Sequence, residues 1–117
     1  QSIRDAHQKA IIAPKGKSKF EDVVCACALA DEDEFGTFSV KDLIEPYFQL
    51  TGDRVKGNNL TYNLQRLCES ERDFILTKTG GSTNVRYQFT NPLMKVYIKM
   101  KLDQKGKYQQ PSLFTPS

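Results

Sequence analysis

Leu60, Leu64, Leu67 and Cys68 stand at the i, i+4, i+7, i+8 spacing that lines apolar side chains along one stripe of a helix. The spacing predicts a helix over 58–69, whose opposite arc carries Asn58, Tyr62, Gln65, Arg66 and Glu69. Residues 74–77 and 85–89 follow, rich in bulky β-formers, and the stretch 78–84 between them holds Gly80 and Gly81. A two-stranded ribbon is marginal alone in water, so such a hairpin must lay its apolar side on helices. A plain three-helix bundle would leave Ile75, Leu76, Val85 and Tyr87 without a role.

The remaining elements follow from caps and breakers. Ser18 and Glu21 form a capping box that opens a helix running to about residue 30 or 31. Its middle, 23–30, is apolar all round, which predicts burial on several sides. Asp31, Glu32, Asp33 and Glu34 then oppose the helix dipole, so that end should fray or be solvated. Residues 35–38 leave room for a very short strand. Ser39 is the expected cap of the next helix, with Leu43, Ile44, Tyr47 and Phe48 on its inner face. Pro46 within it predicts a kink or two short pieces. After the hairpin, Asn91 and Pro92 supply a cap and a first-turn proline for a closing helix with Leu93, Val96, Tyr97 and Met100 inward. The chain opens on a short helix with Ile3, Ala6, Ala10 and Ile11 on one side, broken by Pro14 and Gly16. The expected fold class is mainly α with a small β hairpin (α+β). Three helices followed by a hairpin with a polar tip is the order of a winged helix-turn-helix, here with a further C-terminal helix.

Composition narrows the function classes. At 117 residues the chain fits one domain, and no apolar run approaches bilayer length. The opening residues are too polar for a signal peptide, and a start at Gln1 rather than Met implies residues upstream. A cytoplasmic fragment with no membrane partner is the expectation. A net charge of +3 permits nucleic-acid contact without requiring it. Three cysteines do not make a disulfide framework, and Cys25 and Cys27, two apart on a helix, cannot grip one ion. All three are expected to be small buried apolar residues. His7, the sole histidine, is expected on a peripheral helix, too far from any Ser or Cys partner for hydrolytic chemistry. Gly80-Gly81 is followed by Ser82, Thr83 and Asn84, not by the Gly-Lys-Ser/Thr that a phosphate loop needs. No metal site and no enzyme activity are expected.

The stretch 20–101 resembles the C-terminal winged-helix domain of AAA+ ATPases, specifically bacterial P-loop ATPases related to origin-recognition and STAND-type proteins. The segments ACALADEDEFGTFSVKDL, LQRLCESERDFILTKTG and above all RYQFTNPLMKVYI carry the resemblance. The opening QSIRDAHQKA is similar to the last helix of the helical lid that precedes such a domain. The resemblance implies four units: 1–14 as the end of the lid, 15–17 as linker, 18–102 as the winged-helix domain and 103–117 as a flexible tail. It also implies that ATP and Mg bind upstream in the parent protein, and that this fragment itself holds no cofactor.

Two functions follow, with a catalytic fragment as a remote third. In DNA binding the third helix would present Asn58, Asn59, Tyr62, Gln65 and Arg66 to the major groove, with Lys56 at its entrance. Lys78, Thr79, Ser82, Thr83, Asn84 and Arg86 would act from the wing. Asn and Gln suit adenine, Arg suits guanine, and Lys56 and Lys78 suit phosphate. In the alternative, the domain packs on the ATPase core of the same chain or on a protein partner, with Tyr62, Phe35, Leu113 and Phe114 as anchors.

Overall fold

The computed structural model describes residues 2–12 and 19–104. The expected linker 15–17, the Ser18 cap and Leu113 and Phe114 of the expected tail lie outside the described residues. The element order is α1 Ile3–Ile11, α2 Lys19–Leu29, α3 Lys41–Thr51, α4 Gly57–Leu67, β1 Leu76–Thr79, β2 Arg86–Phe89 and α5 Pro92–Gln104. A single 3-10 turn, Ser70–Arg72, joins α4 to β1. The fold is mainly helical with one antiparallel hairpin, an α+β arrangement.

Because α2 is apolar on every side, it becomes the central element. Val23, Val24, Cys25, Ala26, Cys27 and Ala28 are all buried, and α1, α3, α4 and α5 each pack against it. Leu60, Leu64 and Leu67 of α4 are fully buried, each contributing roughly 1.5–3 kcal/mol by leaving water. Asn63 is buried on the same helix, its Nδ2 donating to the Asn59 carbonyl at 3.2 Å.

Proline does not divide α3, which is one helix with Pro46 inside it. The ring forfeits a single hydrogen bond, while Leu43 and Tyr47 on either side of it are held in the core. Ser39 is not its cap. Val40 occupies that position, and the Asp42 carboxylate reaches back to accept from the Ser39 N–H at 2.8 Å and its hydroxyl at 3.1 Å. Gly52, at φ 78°, closes α3 by donating to the Phe48 carbonyl.

The first strand begins later than its composition predicts. Asp73 and Phe74 take left-handed backbone, φ 60° and 49°, and donate to the Ser70 and Glu69 carbonyls. The chain therefore turns before it can pair, and Phe74 stays exposed. Pairing runs Leu76↔Phe89 to Thr79↔Arg86, so Lys78 and Thr79 belong to β1 rather than to the loop. The loop is 80–85. Gly80 stands at φ 83°, where an added Cβ would fall 2.0 Å from the Asn84 carbonyl oxygen, so glycine is required there. The very short strand expected at 35–38 does not form; Phe38 instead makes an isolated bridge, exchanging two 2.8 Å backbone hydrogen bonds with Tyr87.

Helix α5 is rotated from its predicted orientation. Met94, Ile98 and Leu102 face the core, while Leu93, Val96 and Met100 are 63%, 54% and 58% exposed. Both stripes are apolar, and the packing of α5 on α1, α2 and β2 decides which is covered. The same packing covers His7 on α1. Its side chain is buried, with the ring edge-on to Tyr97 at 5.4 Å between centroids.

Candidate functional site

The burial of the α4 leucines leaves its other face in water. Lys56 sits at the N-cap, and Asn58, Asn59 and Gln65 are exposed with Tyr62, which is 61% exposed. These are hydrogen-bonding groups without charge, apart from Lys56. Arg66 lies on the same arc, but its guanidinium is engaged by Glu71 at 2.9 Å and Glu69 at 3.5 Å. The Glu69 partner stands three residues on and is visible in the sequence as an i, i+3 pair.

On the hairpin, Lys78, Ser82, Thr83 and Asn84 are exposed and Thr79 is half-buried. Burial pushes the Cys68 thiol up, with the charge of Lys78 pulling the other way. Arg86 departs from its expected role. Its side chain turns inward, with Nε donating to Thr37 Oγ1 at 2.7 Å and Nη2 to the Thr37 carbonyl at 2.9 Å. Asp33 and Asp42 lie 3.4 and 3.9 Å from it. No sequence pattern links residues so far apart, so this cluster was not legible beforehand.

The candidate residues therefore fall into two groups. Lys56, Asn58, Asn59, Tyr62 and Gln65 on α4, with Lys78, Ser82, Thr83 and Asn84 on the hairpin, are exposed, beside the half-buried Thr79; Arg66 and Arg86 are paired within the molecule, Arg66 at the surface with Glu69 and Glu71 and Arg86 in the part-buried cluster around Thr37. No Asp or Glu occurs from Arg54 to Cys68 or from Phe74 to Leu102, so α4 and the whole hairpin are built from acid-free sequence. A groove of about 330 Å³ runs between Ser39, Val40 and Lys41 at the start of α3 and Thr83, Asn84 and Arg86 at the hairpin. An added Cβ on Gly57 would lie 3.3 Å from the Val40 side chain, so the start of α4 reaches the same corner.

Other chemistry is sparse. Cys25, Cys27 and Cys68 are thiols rather than half-cystines, and burial holds the Cys27 thiol well above its ordinary range. Among the described residues no three His, Cys, Asp or Glu side chains are grouped to hold a metal ion. No helix among them is long and apolar enough to cross a membrane. Comparison with protein-family models, with curated proteins and with solved structures finds no match to this chain.

Proposed function

We propose that the chain is a non-catalytic winged helix-turn-helix module that binds duplex DNA through α4 and the 80–85 loop. One observation carries this reading: the buried leucines of α4 turn Asn58, Asn59, Tyr62 and Gln65 outward on a helix without acids, with Lys56 at its entrance, and the carboxylates that follow, Glu69 and Glu71, lie past its C-terminal end and pair with Arg66. In this reading α3, the Gly52 turn and α4 are the helix-turn-helix, and α4 enters the major groove. Asn58, Asn59 and Gln65 offer the paired donor and acceptor that adenine accepts. Lys56 and Lys78, which make no ion pair among the described residues, contact phosphate, and Ser82, Thr83 and Asn84 reach the backbone beside the groove. The resemblance to AAA+ ATPase C-terminal domains fits the order of β2, Asn91, Pro92 and α5, and a parent protein would hold ATP and Mg in another domain.

The test is a titration of labelled duplex by fluorescence anisotropy at several salt concentrations. Two phosphate contacts give a log–log salt slope of about −2, and Lys56→Ala should reduce its magnitude by about one. Absence of duplex binding at low salt refutes the proposal.

A second reading has its own observation, the exposed stripe Leu93, Val96 and Met100 on α5, with Phe35, 75% exposed, sharing a cleft with Pro92 and Lys95 at the start of that helix. Here the module docks by that stripe on the ATPase core of its own chain and never touches DNA. Val96→Glu would then release the core while leaving the fold intact, which sedimentation of the parent protein's separated domains would detect.

A further inference from the structure

Arg86 is the first residue of β2, directly after the 80–85 loop, yet its guanidinium faces the body of the molecule. Its planar fork meets the hydroxyl and the carbonyl of Thr37 together, a geometry that a lysine ammonium cannot reproduce. The carboxylates beside it are themselves fixed. Asp33 accepts from the N–H groups of Phe35 and Thr37 and from the Thr37 hydroxyl, and Asp42 accepts from Ser39. One side chain therefore ties the root of the loop to the α2–α3 connection and to the first turn of α3. The Phe38–Tyr87 bridge adds only two backbone hydrogen bonds to the same junction.

We infer that Arg86 is a positioning residue. It fixes the 80–85 loop against the corner where α3 and α4 begin, and it does not touch the ligand. The ligand half of this inference rests on the DNA-binding function proposed above, while the geometric half stands without it. A two-stranded ribbon is marginal by itself; on its loop side this one is held by the Phe38–Tyr87 bridge, by Val85 packed against the core and by the Arg86 cluster, which reaches both the α2–α3 connection and the first turn of α3. The angle of Thr83 and Asn84 relative to Lys56 and Asn58 is then set by the Arg86 cluster.

The experiment compares Arg86→Met and Arg86→Lys with the native chain, using the labelled duplex over a range of salt. Loss of preorganisation in Arg86→Met should weaken binding by roughly five- to tenfold with the salt slope unchanged, and Arg86→Lys should recover part of it. Asn84→Ala should weaken the native chain but add nothing in the Arg86→Met background, because the loop is already misplaced. A drop of about one in the slope magnitude would show a direct phosphate contact and overturn the inference, as would unchanged affinity or additivity with Asn84→Ala. Amide exchange at Phe38 and Tyr87 is the second readout, and it should accelerate in Arg86→Met. If the native chain binds no duplex, the proposed function fails, and exchange alone decides the geometric claim: unchanged exchange overturns it. Should Arg86→Met not fold, Asp42→Asn weakens the same tie from its other end and takes its place in both measurements.

Discussion

Asp33 holds three hydrogen bonds on one carboxylate, two from backbone N–H groups and one from the Thr37 hydroxyl. The Thr37 N–H, then its hydroxyl, lower the Asp33 pKa below the ordinary carboxylate value, with Phe35 and Arg86 assisting. A depressed folded-state pKa stabilises above the unfolded value of about 3.9, and that contribution is lost as pH falls through the lower folded value. Asp33→Asn should therefore melt at a lower temperature than the native chain at pH 7, and the gap should begin to narrow near pH ~3.9 and close once pH falls past the lower folded value. Melting curves from neutral to acid pH check this; a gap that stays constant would show that the charge of Asp33 is irrelevant. Gly80 is the residue where backbone geometry leaves no choice. A Cβ there meets the Asn84 carbonyl at 2.0 Å in a left-handed conformation, so Gly80→Ala should destabilise by about 1–3 kcal/mol in denaturant titrations. The paired glycines were legible as a loop in the sequence. Arg86 was not, because its partners come from two other elements and only the packed structure brings them to it.

Each element's legibility depended on how many faces of it were apolar. Helix α4 has one such stripe, so Leu60, Leu64 and Leu67 identified both the helix and its buried side. Helix α2 is apolar all round from Val23 onward, and its burial among several helices followed from that alone. Helix α5 offers two stripes, Leu93-Val96-Met100 and Met94-Ile98-Leu102, and helical periodicity cannot choose between them. The choice is made by α1, α2 and β2, which approach from the second stripe. The displaced start of β1 has a similar origin, since the left-handed turn at Asp73 and Phe74 is a closure of the preceding 3-10 turn rather than a property of the strand residues. A paired substitution separates covered from uncovered positions. Leu64→Ala removes fully buried groups and should cost about 2–5 kcal/mol, whereas Val96→Ser should stay within about 0.5 kcal/mol of the native chain. Equal losses at the two positions in chemical denaturation would mean that the outer face of α5 is packed after all.

At the scale of the whole molecule, α1 is held by elements distant from it in sequence. Ala10 and His7 bury its inner side against α2 and α5. Its C-terminal end is fastened by a residue sixty positions away: Arg72 donates through Nη1 to the carbonyls of Ala10 and Ile12, where the helix leaves carbonyl groups without partners of their own. The positive charge also suits that end of the helix dipole. The guanidinium lies 3.9 Å over the Phe20 ring, and its Nε, covered by this packing, makes no hydrogen bond. Arg72 thus joins α1, the start of α2 and the 3-10 turn that leads into the hairpin, and it does so without touching the α4 face. Arg72→Met keeps much of the stacking but removes the charged donor, so the loss should be about 1.5–3 kcal/mol and local to α1. Hydrogen exchange should show the α1 amides losing protection while those around Leu64 keep theirs, and duplex affinity should not change. Uniform loss of protection across α4 would mean that α1 is an integral part of the same cooperative unit, and that the tie at Arg72 stabilises the whole fold rather than the attachment of one helix.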